Sequence, residues 1–107
     1  MTEERQAVEQ YALDHWADFK EYLEHPSISA QNTGIQETSD YLVRTFRELG
    51  AKNVEKWEDQ GGNPVVFAEF KGQSDRTVLF YNHYDVQPPE PLTEWQSDPF
   101  KATVKGD

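Results

Sequence analysis

Within these 107 residues, the segment Phe80-Tyr81-Asn82-His83-Tyr84-Asp85-Val86 holds the side chains best suited to chemistry. In extended backbone, residues two apart point to the same side, so His83 and Asp85 stand next to each other. A neutral imidazole is a common zinc ligand, and a neighbouring carboxylate fixes its tautomer and raises its basicity. His-x-Asp at a strand tip therefore suits the start of a metal site, with His83 as ligand and Asp85 as its partner. The same pair also serves as a plain hydrogen bond that satisfies two polar groups at a strand end. Spacing alone leaves both readings open. One His and one Asp do not complete a zinc site, which usually takes three or four protein ligands.

The elements that must carry this segment follow from hydrophobic periodicity. Val8, Ala12, Trp16, Phe19 and Leu23 recur at spacings of three and four, which predicts one amphipathic helix over residues 3–24, capped by Thr2 and stopped by Pro26. A second helix is predicted from about Gly34 to Leu49, with Thr33 and Gln36 as a capping box, Gly50 just past its end, and Ile35, Leu42, Phe46 and Leu49 as its buried face. From Ala51 the period changes. Residues 52–59 suggest a short, mostly exposed strand, Gly61-Gly62-Asn63-Pro64 a turn, residues 65–70 a strand, and residues 71–75 a second turn. Thr77-Val78-Leu79-Phe80-Tyr81 is a continuous apolar run, the pattern of a strand buried on both faces of a sheet. Its carboxyl end, where His83 and Asp85 follow, is where open α/β sheets collect ligands. The tail Lys101-Ala102-Thr103-Val104-Lys105-Gly106-Asp107 resembles a strand running into a turn. The order helix, helix, strand, strand, strand predicts an α/β fold built as the front of a larger, mixed-sheet domain and incomplete in itself.

Composition narrows the function classes. Ten basic against twenty acidic residues give a net charge of −10, which repels nucleic acid and anionic lipid. No cysteine is present, so a disulfide framework, a thiolate metal site and a cysteine nucleophile are all excluded. The polar, acidic opening Met1-Thr2-Glu3-Glu4-Arg5 is unlike a secretory signal, and no apolar run approaches a membrane span. A cytoplasmic chain with no nucleic-acid or membrane partner is expected.

Beyond spacing, the run from Thr77 to Pro91, continued by Leu92-Thr93-Glu94-Trp95 and Ser97-Asp98-Pro99-Phe100, resembles the two-zinc exopeptidase family. That family includes carnosinase-like dipeptidases, carboxypeptidase-G-type enzymes, acetylornithine deacetylase and succinyl-diaminopimelate desuccinylase. The His83-Tyr84-Asp85-Val86-Gln87-Pro88 block is its most specific part and is most similar to the dipeptidase branch. Pro26-Ser27-Ile28-Ser29-Ala30, Leu49-Gly50-Ala51 and Gly62-Asn63-Pro64-Val65-Val66 agree with it, so the likeness extends over essentially all 107 residues. Asn82 departs from it, standing where the family commonly has glycine.

The resemblance implies that residues 1–107 are the N-terminal part of a metallopeptidase catalytic domain. It implies His83 as the first zinc ligand, Asp85 as the catalytic-site aspartate that orients it, and two divalent metal ions, zinc by family habit, in a homodimeric parent acting on small peptides. The bridging aspartate, the glutamate pair, the remaining ligands and the lid domain of such enzymes match nothing in this sequence. The chain alone is therefore expected to be inactive. Within the same chemistry the alternative is a deacylase of N-acyl amino acids. From another class comes a non-catalytic binding module using the proline-aromatic tail.

The remaining candidates have plainer expectations. His15 reads as a hydrogen-bonded packing residue, and His25 as an imidazole at a helix end, where the dipole favours it. Pro88-Pro89-Glu90-Pro91 reads as a rigid loop, with Trp95 and Phe100 anchoring it. The acidic clusters read as solvated faces.

Overall fold

A computed structural model describes residues 2–59 and 61–106. The chain divides into two compact units, one made of residues 1–25 and 89–107 and the other of residues 26–88.

The first unit opens with α1 (Glu3–Asp14) and α2 (Trp16–Leu23). Thr2 caps α1 by accepting the Arg5 amide, and Glu3 and Glu4 sit in the first turn, where the dipole favours them. The single helix expected over residues 3–24 is thus two, broken at His15, whose φ of −108° and ψ of 14° leave the helical range. The imidazole makes local bonds at this break. Its Nδ1–H and the His15 amide both donate to the Tyr11 carbonyl, at 2.8 and 3.0 Å, and the ring stacks on Tyr11. His25 makes the equivalent bond, Nδ1–H to the Glu21 carbonyl at 2.8 Å, at the end of α2. Val8, Trp16, Phe19 and Leu23 are exposed, against the expectation of a buried stripe. At the other end of the sequence, a 3-10 turn spans Leu92–Glu94, and Trp95 Nε1 donates to the Pro89 carbonyl at 3.1 Å. The tail after Lys101 forms no strand among the described residues, and Asp107 lies outside them.

The second unit is built on α3 (Ile35–Glu48) and an antiparallel hairpin of β1 (Asn53–Trp57) and β2 (Val65–Glu69). The end of α3 is a Schellman motif. Gly50, at φ 89°, donates to Arg47 O, and Ala51 donates to Phe46 O. Its start differs from the expected capping box. Gly34 is the N-cap, at φ 71°, with no side-chain cap, and the Gln36 side chain instead accepts from Lys56 Nζ.

The hairpin register pairs Val54 with Ala68 and Lys56 with Val66, and period two puts these four on the face toward α3. Lys56 reaches Asp40 of α3 at 2.8 Å, and Phe46 of α3 meets Phe70 edge-on. On the other face Trp57 stacks on Phe67. The core is small: among the described residues Ile28, Ile35 and Tyr41 are its buried hydrophobic side chains, beside the more deeply buried Ser27, Thr38 and Ser39. Thr38 and Ser39 resolve their burial locally, donating to Gly34 O and Gln36 O. Leu42 and Phe46 are only half-buried and Leu49 is exposed, so the covered side of α3 is rotated toward its first two turns.

One expectation fails outright. Thr77–Tyr81 forms no ladder among the described residues, and Val78, Leu79, Phe80 and Tyr81 are 72–86% exposed. An apolar run is buried only where strands flank it, and here β1 and β2 pair with each other alone. The α/β character rests on α3 and its hairpin.

Candidate metal-ligand site

His83 and Asp85 sit on the extended segment that follows this exposed run. Two contacts fix it. Val86 forms an isolated parallel bridge with Ile28, its amide donating to Ser27 O at 2.7 Å. Tyr84, pointing to the opposite side from its neighbours, donates its hydroxyl to the carbonyl of Pro64 at the start of β2. Burial raises the Tyr84 pKa, which keeps the phenol protonated as a donor.

The Ile28 strand is itself held. Ile28 and Thr33 exchange both backbone hydrogen bonds around the 3-10 turn Ser29–Gln31, and Asn32 takes a left-handed conformation to close it. This small loop leads through Gly34 directly into α3. The segment carrying His83 is therefore braced from the N-terminal end of α3 on one side and from β2 on the other.

The imidazole and the carboxylate meet as the spacing suggests. His83 Nδ1 lies 3.0 Å from Asp85 Oδ1 and 2.9 Å from the Asp85 carbonyl. A carbonyl only accepts, so Nδ1 carries the proton, and in the neutral ring the lone pair falls on Nε2. The His83 side chain is 75% exposed, which leaves that nitrogen accessible to an ion.

The second carboxylate oxygen of Asp85 is also used. Ser29 Oγ donates to Oδ2 at 2.6 Å, across 56 positions of sequence. That bond, followed by the one from His83, holds the Asp85 carboxyl below its ordinary pKa. The ion pair with a protonated His83 would sit in a half-exposed setting and contribute little by itself. Sequence reasoning missed Ser29 and Tyr84 as members of this arrangement. The Pro26-Ser27-Ile28-Ser29-Ala30 tract was the available signal for Ser29, although nothing in it pointed to Asp85.

As a metal centre the arrangement is one imidazole with an oriented donor atom. No group of three or more His, Asp or Glu side chains that could hold an ion occurs among the described residues. His83 fits the part of one ligand, and the described residues supply no complete site. His15 and His25 use Nδ1 within their own helices, in agreement with their plainer expectations. In the first unit, Pro89, Leu92, Trp95, Pro99 and Phe100, with Ser97 and Asp98, line an open groove of mixed character. No helix of the described residues is long and apolar enough to cross a membrane.

Comparison with known proteins gives this geometry its context. No protein-family model matches the sequence. The chain is similar to the Cys-Gly metallodipeptidase of Schizosaccharomyces pombe, with 36% identity over 91 residues, 74% of this chain and 19% of that protein. It is similar to the succinyl-diaminopimelate desuccinylase of Pelagibacter ubique, with 28% identity over 89 residues, 80% of this chain and 22% of that protein. Among solved structures it resembles an M20 family metallo-carboxypeptidase from Sulfolobus solfataricus, at 44% identity and a TM-score of 0.77, covering 85% of this chain and 21% of that one. The chain thus spans about a fifth of the length of the relatives it matches.

Proposed function

Because this chain belongs to the M20 family of metallopeptidases, we propose that it forms the N-terminal part of the catalytic domain of a metal-dependent, dipeptidase-like exopeptidase. The observation that carries this reading is the His83–Asp85 pair. Nδ1–H is held by the aspartate and the Nε2 lone pair is available to an ion, in a sequence 44% identical to the matching part of a metallo-carboxypeptidase.

In this reading His83 ligates one of two divalent ions, which we take to be zinc, through Nε2, and Asp85 orients the ring and raises its basicity. When bound, the ions polarise the scissile carbonyl and lower the pKa of a water. Tyr84 and the Val86–Ile28 bridge keep the His83 segment from drifting, so that Nε2 stays where the ion needs it. Among the described residues no group of three His, Asp or Glu side chains could hold an ion, so in this reading residues 1–107 supply one ligand and are inactive on their own. By analogy with the family, the parent acts on small peptides in the cytoplasm as a homodimer.

Deacylation of N-acyl amino acids is the second reading, favoured by the similarity to a desuccinylase over 80% of the chain. Reading the gene past Asp107, and assaying the protein it encodes on dipeptides and N-succinyl amino acids, tests both. The expected result is dipeptide hydrolysis that a chelator abolishes. Cleavage of the N-succinyl substrates alone supports the deacylase. A frame that stops at Asp107, or a product without metal-dependent hydrolysis, contradicts the proposal.

A further inference from the structure

Ser29 stands out because its hydroxyl is spent on the carboxylate of Asp85, which also touches His83, although 56 positions separate Ser29 from Asp85. A carboxylate on a half-exposed strand turns freely about its χ2 torsion unless both oxygens are engaged. Here Oδ2 accepts from Ser29 and Oδ1 accepts from His83, so turning the group breaks one bond or both.

The two backbones that carry this contact are tied independently. Val86, next to Asp85, donates to Ser27 O at 2.7 Å, and Ile28, next to Ser29, is closed against Thr33. The loop and the strand are thus joined without the hydroxyl, which leaves the Ser29 side chain available for a task beyond joining them. The Asp85 backbone carbonyl also accepts from His83 Nδ1, at 2.9 Å, and it remains an acceptor whatever the side chain does.

We propose that Ser29 is a positioning residue for the metal ligand: its hydroxyl locks the Asp85 carboxylate so that Oδ1 faces His83 Nδ1, fixing the ring tautomer that presents Nε2 outward. This rests on the reading of His83 as a metal ligand for its purpose, but not for its geometry. Without the hydroxyl, Asp85 rotates, Nδ1–H loses the charged one of its two acceptors and keeps only the neutral carbonyl, and the Nε2–H form gains population.

The test is long-range proton–nitrogen NMR of the imidazole in the 107-residue chain, at a single pH where the ring is neutral. Wild type, Ser29→Ala and Asp85→Asn are compared, and the amide spectrum of each is recorded. The expected result is a dominant Nδ1–H form of His83 in wild type, and loss of that dominance in both variants. Amide shifts should be confined to the neighbourhood of residues 29 and 85. An unchanged tautomer in Ser29→Ala overturns the proposal. So does loss in Ser29→Ala without loss in Asp85→Asn, and so do amide shifts throughout residues 26–34, which would make Ser29 a tie for its loop. Bound metal measured with and without His83→Ala in the Sulfolobus carboxypeptidase carrying residues 1–107, which restores the missing ligands, separately decides whether His83 is a ligand, so failure of one claim is distinguishable from failure of the other.

Discussion

A Cβ placed on Gly34 would lie 1.7 Å from the carbonyl oxygen of Pro26. Gly34 also has a φ of 71°, so both the backbone conformation and the available space require glycine. This close approach lets the loop carrying Ser29 fold back on the first turn of α3, where Thr38 Oγ1 donates to Gly34 O. Replacing Gly34 with alanine should cost about 1–2 kcal/mol for the left-handed conformation alone. The clash with backbone adds to this, for a total above about 3 kcal/mol by chemical denaturation. A loss under about 1 kcal/mol would show that the loop does not pack as described.

Lys56 and Tyr84 make the second unit sensitive to alkali. The Lys56 ammonium is held above its ordinary pKa of 10.5, chiefly by its hydrogen bond to Asp40. Tyr84 is pushed above its ordinary 10.0 by burial. For a group whose folded pKa is raised, the folded state binds more protons between the two values. Its stabilisation is therefore complete below the unfolded pKa and is lost as pH rises through the folded one. Stability should fall above about pH 10 on their account, and neither group should alter the slope near neutrality. Lys56→Met should flatten part of that alkaline fall and cost roughly 0.2–1 kcal/mol at pH 7. Tyr84→Phe should cost about 1 kcal/mol through the lost bond to Pro64. An alkaline profile identical in wild type and both variants would contradict these assignments.

The exposed run Val78-Leu79-Phe80-Tyr81 offers unpaired backbone and apolar side chains together. Such an edge templates pairing with another chain. The 107-residue chain should elute from size exclusion as concentration-dependent oligomers, and Leu79→Lys with Phe80→Lys should return it to the monomer. Oligomers that persist unchanged in the double variant would place the association elsewhere, with the exposed side chains of α1 and α2 the next surface to examine.

Local pattern carried much of this architecture. The Gly50 stop of α3, the hairpin strands and the closeness of His83 to Asp85 all depend on residues within a few positions of one another, where periodicity and turn chemistry act. The break at His15 was less legible, because it falls inside a continuous apolar rhythm that gives no sign of it. The N-terminus of α3 misled for a different reason. Thr33 and Gln36 had the right spacing for a capping box, but the approach of Pro26 set the backbone first. Thr77–Tyr81 has the composition of a buried strand, and burial is a property of what packs against a strand, which its own sequence does not contain. Ser29 was illegible as the partner of Asp85 for the same reason, since a bond across 56 positions leaves no local signature.

In the proposed function this chain contributes His83 as a metal ligand to a hydrolase of the M20 family. Grafting residues 1–107 in place of the matching fifth of the Sulfolobus carboxypeptidase, and measuring bound metal with and without His83→Ala, tests it most directly. The graft should hold metal and hydrolyse its substrate, and His83→Ala should lose about one equivalent of metal together with activity. Equal metal content in the two proteins would contradict it.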